Sequence, residues 1–196
     1  MMNFGNMPAD GGKLILSTQE KEELEETYPT ISQFIKPLIG AEEFINGKQR
    51  WCLWLYNKDE NEYNRIPEIV NRINDLREIR LQSSRPQLAE IPHLFAQITQ
   101  PMATPVIVVP SVSSENRKYI PMSILPEGNI VANSCMVIGS ADIALFGLLT
   151  SFMHMLWMRT IGGKLETRYR YSAQIIYNNF PFPRLTQTQR KEIEQA

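Results

Sequence analysis

The spacing of apolar residues along the chain predicts several helices. From Tyr63 to Ser84 apolar positions recur at helical spacing, which predicts an amphipathic helix with a charged outer face. The acidic stretch EKEELEETY also predicts a helix, capped by Ser17 or Thr18 and ended before Pro29. From about Ala141 to Thr160 the residues are apolar nearly all round, so this segment predicts a buried central helix.

Shorter apolar runs separated by turn-forming residues predict strands. Asn46-Gly47 lies between the runs Glu43–Ile45 and Lys48–Tyr56, and an Asn-Gly pair in that position favours a type I′ hairpin turn. Further strand-like runs are Pro105–Val109, Tyr119–Leu125, Asn129–Ile138 and Ser172–Asn178. The patterns together predict an α+β domain: a mixed or antiparallel sheet with a β-hairpin, several helices and one buried central helix.

Length and composition fit one domain with a core of its own. The chain has 196 residues, of which 43% are hydrophobic. Residues 1–12 form a polar lead-in that contains Gly and Pro, and no basic and apolar signal region is present, so we expect a cytoplasmic protein. Cys52 and Cys135 lie far apart in apolar runs, which favours two reduced, buried thiols over a disulfide or a metal site.

Charge is unevenly distributed along the chain, although the whole chain has a net charge of -1. Residues 1–64 hold six cations and eleven acids, a net charge of -5, whereas residues 143–184 hold five cations and one acid, a net charge of +4. The first part should avoid a phosphate backbone and the second should approach one. Residues 143–184 are therefore the candidate nucleic-acid surface.

Within this basic part, side chains alternate from Leu165 to Tyr171 with the period of an extended segment. The alternation predicts that Glu166, Arg168 and Arg170 point the same way. Guanidinium groups match the O6 and N7 atoms of guanine, and a carboxylate accepts from cytosine N4, so these three residues are candidates to contact base pairs. The competing interpretation is a solvated edge strand with salt bridges.

Other cations are candidates to contact the DNA backbone. Lys164 and Arg159 belong to the same basic part, and Arg117 and Lys118 lie in the loop SVSSENRKY, which suits phosphate contacts but also suits any exposed turn. The outer face of the Tyr63–Ser84 helix favours ion pairs with neighbouring acids over DNA contacts. Its cations are Arg65, Arg72, Arg77, Arg80 and Arg85.

The sequence gives no support for catalysis by this chain. His93 and His154 are isolated, and His154 is predicted to be a satisfied interior histidine. Trp51 and Trp54 are predicted to pack in the core, with stacking on a flipped base as the alternative. Neither a glycine-rich cofactor loop nor a P-loop is present, and the NNFP sequence at Asn178 lacks the two prolines of the Asn-Pro-Pro-Tyr motif of amino-methyltransferases. We therefore expect no catalytic residue, no metal and no cofactor in this chain.

The blocks DGGKLILS, FIKPLIGAEEFINGKQRWCLWL, SFMHMLWMR and GGKLETRYRYSAQIIYNNFPFP resemble the target recognition domain of the MmeI-like, Type IIL restriction-modification enzymes. The resemblance covers about Pro8 to Pro183. It implies that residues 13–184 recognise duplex DNA for an adenine-N6 methyltransferase domain in the same polypeptide, which would bind S-adenosylmethionine. Residues 185–196 would then begin a following helical region.

The resemblance also implies roles for single residues. Glu166 and Arg168 would act together on one base pair, and Arg170 aligns with a further recognition position. The alternative function, from a different class, is a protein-interaction module whose basic loop binds an acidic partner.

Overall fold

Small sheets organise the part of the chain that the computed structural model describes, residues 1–100 and 104–196. The strands are β1 (Met2–Phe4), β2 (Ile15–Leu16), β3 (Ile35–Ile39), β4 (Trp51–Leu53), β5 (Val106–Pro110), β6 (Val112–Ser113), β7 (Ser123–Leu125), β8 (Ile130–Val131), β9 (Cys135–Ile138), β10 (Gly163–Leu165) and β11 (Arg168–Arg170). The helices are α1 (Thr18–Thr27), α2 (Ala41–Asn46), α3 (Glu60–Tyr63), α4 (Pro67–Leu81), α5 (Ile143–Leu149), α6 (Phe152–Ile161) and α7 (Gln187–Gln195). Short 3-10 helices cover Pro29–Phe34 and Pro86–Glu90, and a π-helix covers Ala173–Tyr177.

The sheets have mixed and antiparallel pairing, and the predicted α+β class is confirmed. One sheet has the antiparallel order β1-β9-β5-β7, and another has the order β2-β4-β3-β8 with a parallel β3–β8 pair. The third sheet, β10-β11-β6, is antiparallel and carries three of the five cations of residues 143–184, namely Lys164, Arg168 and Arg170.

The first hundred residues build one hydrophobic core beneath α1 and α4. α1 begins as predicted, since the Ser17 hydroxyl accepts from the Glu20 N–H at 3.1 Å. The single helix predicted over Tyr63–Ser84 is wrong at its start, because α3 ends at Tyr63 and α4 begins only at Pro67. Trp54 is buried in this core, as predicted, and Trp51 packs against its edge. Arg80, predicted on the outer face of α4, is only 2% exposed and lies inside.

The predicted central helix is wrong in two respects. The chain breaks at Ser151, whose hydroxyl accepts from the His154 N–H at 3.2 Å, so α5 and α6 are separate helices at 53° to each other. The pair is also not buried all round, because Phe152 and Met153 are more than half exposed. Among the described helices no single one is long and apolar enough to cross a membrane. Only the bent pair α5 and α6 meets both criteria together.

The predicted hairpin at Asn46-Gly47 is also wrong. Residues 41–46 form α2, because the Glu43 carboxylate accepts from the Gly40 N–H at 2.9 Å and fixes the start of a helix. Gly47 then ends α2 in the left-handed conformation, with φ 65° and ψ 24°. The Asn-Gly pair therefore serves as a helix end, and β4 pairs with β3 across α2.

Two further segments differ from expectation. Residues 172–178, predicted as a strand, form the π-helix, whose first turn is capped by the Ser172 hydroxyl. The polar lead-in, residues 1–12, is built into the fold: β1 pairs with β9, and Asn6 and Asp10 are buried. The Asp10 carboxylate accepts from the N–H of Leu14 and of Ile15 and so holds the chain that enters β2.

Candidate nucleic-acid interface

Residues 163–170 form a two-stranded hairpin, here called the basic hairpin. Leu165 pairs with Arg168, so the turn contains only Glu166 and Thr167. Glu166 has φ +58°, a conformation that L-residues other than Gly adopt rarely, whereas Thr167 does not. The predicted continuous extended segment is therefore wrong: the chain reverses at Glu166.

The pairing of β10 with β11 sorts the candidate residues onto two faces. Gly163 lies opposite Arg170, and Leu165 lies opposite Arg168, so Arg168 and Arg170 share one face of the sheet. Lys164 lies opposite Tyr169 on the other face, with its Nζ atom 5.9 Å from the centre of the Tyr169 ring. Lys164 therefore does not join the two arginines.

Glu166 and Arg168 meet across the turn rather than along a strand. The Arg168 Nη2 atom donates to the Glu166 Oε2 atom at 2.7 Å, and the two side chains remain 46% and 75% exposed. Arg170 is exposed and has neither a side-chain hydrogen bond nor a salt bridge within residues 1–100 and 104–196. The exposed face thus offers one carboxylate and two guanidiniums to an external ligand.

A residue that the sequence analysis missed, Glu115, lies beside this turn. The Thr167 hydroxyl donates to the Glu115 Oε1 atom at 2.8 Å. The pKa of Glu115 is lowered from its usual value, mainly by its own backbone N–H and by the Thr167 hydroxyl, with smaller contributions from Arg168 and Lys164. Nothing in the sequence pairs Glu115 with Thr167, 52 residues away, because the contact depends on β6 lying beside β11.

Arg159 is half-buried, and its guanidinium is turned toward the backbone of a neighbouring loop. Its Nη2 atom donates to the backbone carbonyl of Lys118 and, at 3.4 Å, to that of Arg117. Its guanidinium carbon is 5.9 Å from the centre of the Tyr169 ring. Arg159 thus ties α6 to both the 114–118 loop and the basic hairpin, whereas the side chain of Lys118 is exposed and lies over Tyr119.

A buried polar pair anchors the base of the basic hairpin. The Nε2 atom of His154 and the hydroxyl of Tyr171 are 2.9 Å apart, and both residues are almost completely buried. Burial lowers the pKa of His154 to about 4 and raises the pKa of Tyr171. Tyr171 also donates its backbone N–H to the Ser111 carbonyl at 2.8 Å. His154 is therefore a neutral interior histidine. It is satisfied only in part, because among the described residues its buried Nδ1 atom has no hydrogen-bond partner.

The remaining candidate groups for metal binding or redox chemistry are separate and buried. Cys52 and Cys135 are free thiols, as predicted, and burial raises the pKa of both, that of Cys135 to about 12. Within the described parts of the chain, no group of three or more His, Cys, Asp or Glu side chains could hold a metal ion.

The fold and the exposed hairpin define a recognition domain, and comparison with known proteins identifies its family. The family model described as "MmeI, target recognition domain" matches residues 1–184. The chain belongs to this family, and the resemblance seen in the sequence is confirmed.

Relatives of known name are much longer than this chain. DNA methyltransferase A of Bacillus subtilis (strain 168) is 43% identical over 201 residues, which cover 100% of this chain and 22% of the relative. The solved structure of the Type IIL restriction-modification enzyme MmeI in complex with DNA superposes with a TM-score of 0.94 at 40% identity, over 99% of this chain and 26% of that one.

A more distant solved structure shares the fold alone. The type IIG restriction endonuclease BpuSI has a TM-score of 0.59 at 11% identity, over 100% of this chain and 25% of that one. This chain therefore spans about a quarter of the length of each of these three proteins.

Proposed function

We propose that this chain selects the DNA sequence on which a longer methyltransferase polypeptide acts. The observation that supports this most directly is the exposed Glu166–Arg168 pair at the tip of the basic hairpin, with Arg170 exposed on the same face. A two-stranded ribbon fits the major groove of B-form DNA, where base pairs differ in their donors and acceptors. The basic hairpin has the size and the side chains for such a contact.

Glu166 and Arg168 complement the two bases of one C:G pair. The carboxylate accepts from cytosine N4, while the guanidinium donates to the O6 and N7 atoms of guanine. Their mutual salt bridge is exposed and hence weak, so exchanging it for base contacts costs little. Arg170, two residues along β11, would contact a neighbouring base, whereas Lys118 and Arg117 at the adjacent loop suit phosphates.

The wider activity is also a proposal, which the similarity to a DNA methyltransferase supports. The longer polypeptide would transfer a methyl group from S-adenosylmethionine to adenine N6, with both the cofactor and the catalytic residues outside residues 1–196. It would act in the cytoplasm. This chain alone would bind duplex DNA weakly, because few of its cations contact phosphates, and its affinity would fall with rising salt, because each such contact releases counterions.

A hybrid enzyme tests the proposal. The segment of B. subtilis DNA methyltransferase A that matches this chain is replaced by residues 1–196, and methylated sites are mapped by sequencing. We expect the hybrid to methylate a sequence that differs from that of the parent, since the recognition residues come from this chain. A hybrid that retains the methylation sequence of its parent would contradict the proposal.

A second measurement separates DNA recognition from binding of an acidic protein. In gel shifts with residues 1–196, duplexes that contain the sequence found with the hybrid should compete more strongly than unrelated duplexes of equal length. Equal competition by unrelated DNA and by polyglutamate would indicate only general attraction to polyanions.

A further inference from the structure

The outer side of α6 and the segment Phe180–Pro183 enclose an apolar groove of about 560 Å³. Phe152, Met153 and Leu156 on α6 are 58%, 64% and 47% exposed. The groove is lined mainly by Met153, Leu156, Trp157, Phe180, Pro181 and Pro183. Contiguous apolar surface of this kind on a protein typically marks an interaction site.

The chemistry of the groove argues against DNA as its occupant. Its lining contains no charged residue among the described part of the chain, and its few polar members are hydroxyls such as Ser151 and Thr160. Arg159, the arginine of α6, is turned toward the 114–118 loop and Tyr169 instead. The occupant must therefore be apolar, and it binds on a different side of α6 from the basic hairpin.

The course of the chain argues for an occupant from the same polypeptide. Met2 packs in the same core as Met155 of α6, and α7 packs against α5 through an Arg190–Asp142 salt bridge of 2.7 Å. Both ends of residues 1–196 thus lie in the part of the fold that carries the groove. About three quarters of the length of MmeI falls outside the matching region. Polypeptide attached at these ends would reach the groove at high effective concentration.

We propose that this groove is the docking surface for an apolar segment of the longer polypeptide, in the part that carries the methyltransferase. This inference rests on the proposed function. The segment covers Met153, Leu156 and Trp157 and packs against Phe180 and Pro181. It thereby fixes α6, and through Arg159 and His154 of α6 it fixes the basic hairpin relative to the catalytic part.

Hydrogen exchange tests the docking surface in the hybrid of the previous section. We expect the backbone amides of Phe152–Ile161 to exchange at least about ten times more slowly in the hybrid than in isolated residues 1–196, because docking suppresses local opening. Leu156→Glu and Met153→Glu should remove this difference and reduce methylation of the new sequence about tenfold or more. Leu81→Glu is the matched control, since Leu81 is 52% exposed at the end of α4, away from the groove.

The outcomes separate this proposal from the function proposed above. Slow exchange in α6 without methylation of a new sequence supports docking and contradicts the proposed function. Methylation of a new sequence with equally fast exchange in α6 supports the function and contradicts docking.

Two results would identify a different occupant and overturn the proposal. One is a dimer of isolated residues 1–196 in sedimentation equilibrium that Leu156→Glu dissociates, which makes a second copy the occupant. The other is binding of isolated residues 1–196 to phosphatidylcholine vesicles that the same substitution abolishes, which makes a lipid surface the occupant.

Discussion

The helix α4 and the basic hairpin are both rich in arginine, yet their charges are used in opposite ways. In α4 the Arg72 side chain binds Glu68 at 2.8 Å, Glu20 at 3.3 Å and the Lys13 carbonyl at 3.2 Å. On the exposed face of the basic hairpin, Arg168 has one exposed carboxylate partner and Arg170 has none among the described residues. A candidate DNA surface therefore differs from an ion-paired helix in how few of its cations are bound to acidic side chains, rather than in the number of cations.

Each region also depends on one buried basic side chain, and the two differ in charge. Arg80 donates to five backbone carbonyls, those of Pro8, Ala9, Leu88, Ile91 and Leu94, at 2.8 to 3.3 Å. His154 is neutral, and among the described residues its side chain makes one hydrogen bond, with the Tyr171 hydroxyl. The first region is thus held by a cation, and the hairpin region by a neutral pair.

The largest effect is expected at Arg80. Arg80→Met keeps an apolar stem but leaves five carbonyls without their donor, so we expect a loss of about 3 to 4 kcal/mol in the free energy of unfolding. Urea denaturation measures it. Arg77→Met, on the exposed face of the same helix, should change the value by less than about 0.5 kcal/mol. A similar small effect for both variants would mean that the buried guanidinium does not hold the region.

The second effect concerns His154 and pH. Burial lowers the pKa of His154 from 6.5 to about 4. Between these pH values the histidine is protonated in the unfolded chain but neutral in the folded protein. Stability should therefore be unaffected by His154 above pH 6.5 and should fall by up to about 3 kcal/mol as the pH drops from 6.5 toward 4. Urea denaturation across this range should give a flatter profile for His154→Asn than for the wild type.

His93→Asn serves as the comparison for this pH effect. The pKa of His93 is also lowered by burial, but its side chain stacks on Tyr63 in the first region. His93→Asn should therefore flatten the pH profile less than His154→Asn, because the pKa of His93 is lowered less than that of His154. Equal flattening of the pH profile by both variants would assign the pH effect to the histidines in general, against a specific role of the His154–Tyr171 pair.

The third effect concerns Glu166 and Arg168 in the hybrid enzyme. Replacing Glu166→Lys together with Arg168→Asp exchanges donor and acceptor, so the preferred base pair should invert from C:G to G:C. Either change alone should reduce discrimination at that position by about 1 to 3 kcal/mol, and sequencing of methylated sites detects both results.

The Lys13–Asp75 salt bridge provides a matched control, because its 2.7 Å length equals that of Glu166–Arg168 and it involves α4. Lys13→Asp with Asp75→Lys should leave the methylated sequence unchanged. If the swap at Glu166 and Arg168 left the sequence equally unchanged, the pair would be an ordinary surface salt bridge.

The smallest effect concerns the contact between Thr167 and Glu115. We expect Thr167→Val and Glu115→Ala each to lower discrimination by about 0.5 to 1.5 kcal/mol, because the turn loses the hydrogen bond that positions it. The double variant should cost no more than either single one, since both remove the same bond. Glu127→Ala, an exposed acid of another turn, is the control, and additive losses would count against a shared role.

The sequence was informative wherever a signal acts within a few residues. Ser17 marks the start of α1 correctly, since a cap acts on its own helix. The helix predicted from Tyr63 begins only at Pro67, where a proline suits the first turn. Arg80 was misplaced on the outer face, although Ile69, Leu76 and Arg80 recur at helical spacing on the buried side. An arginine at such a position can be buried only when carbonyls from other parts of the chain accept hydrogen bonds from it, and the spacing of residues along one helix does not show those carbonyls.

The turns at Asn46-Gly47 and Glu166-Thr167 show the limit of predicting turns from local sequence. Asn46-Gly47 is the stronger hairpin signal, yet it ends α2, because the Glu43 carboxylate stabilises the helix start and Gly47 suits a left-handed helix end. Glu166-Thr167 carries no such signal, yet it forms the hairpin turn. The pairing of β10 and β11 with β6 there outweighs the cost of a positive φ at Glu166, about 1 to 2 kcal/mol.

By itself the sequence determined the α+β class, the family, the capped start of α1 and the three candidate residues Glu166, Arg168 and Arg170. These properties depend on residue type and short spacing. Only the tertiary structure decided that Lys164 faces away from the arginines, that Arg159 is occupied by the carbonyls of Arg117 and Lys118, and that Glu115 holds the turn. The physical reason is that the contacts of Arg159 and Glu115 join residues 41 to 52 positions apart, whose proximity arises from strand pairing and helix packing rather than from local sequence. The face of Lys164 likewise depends on the register in which β10 pairs with β11.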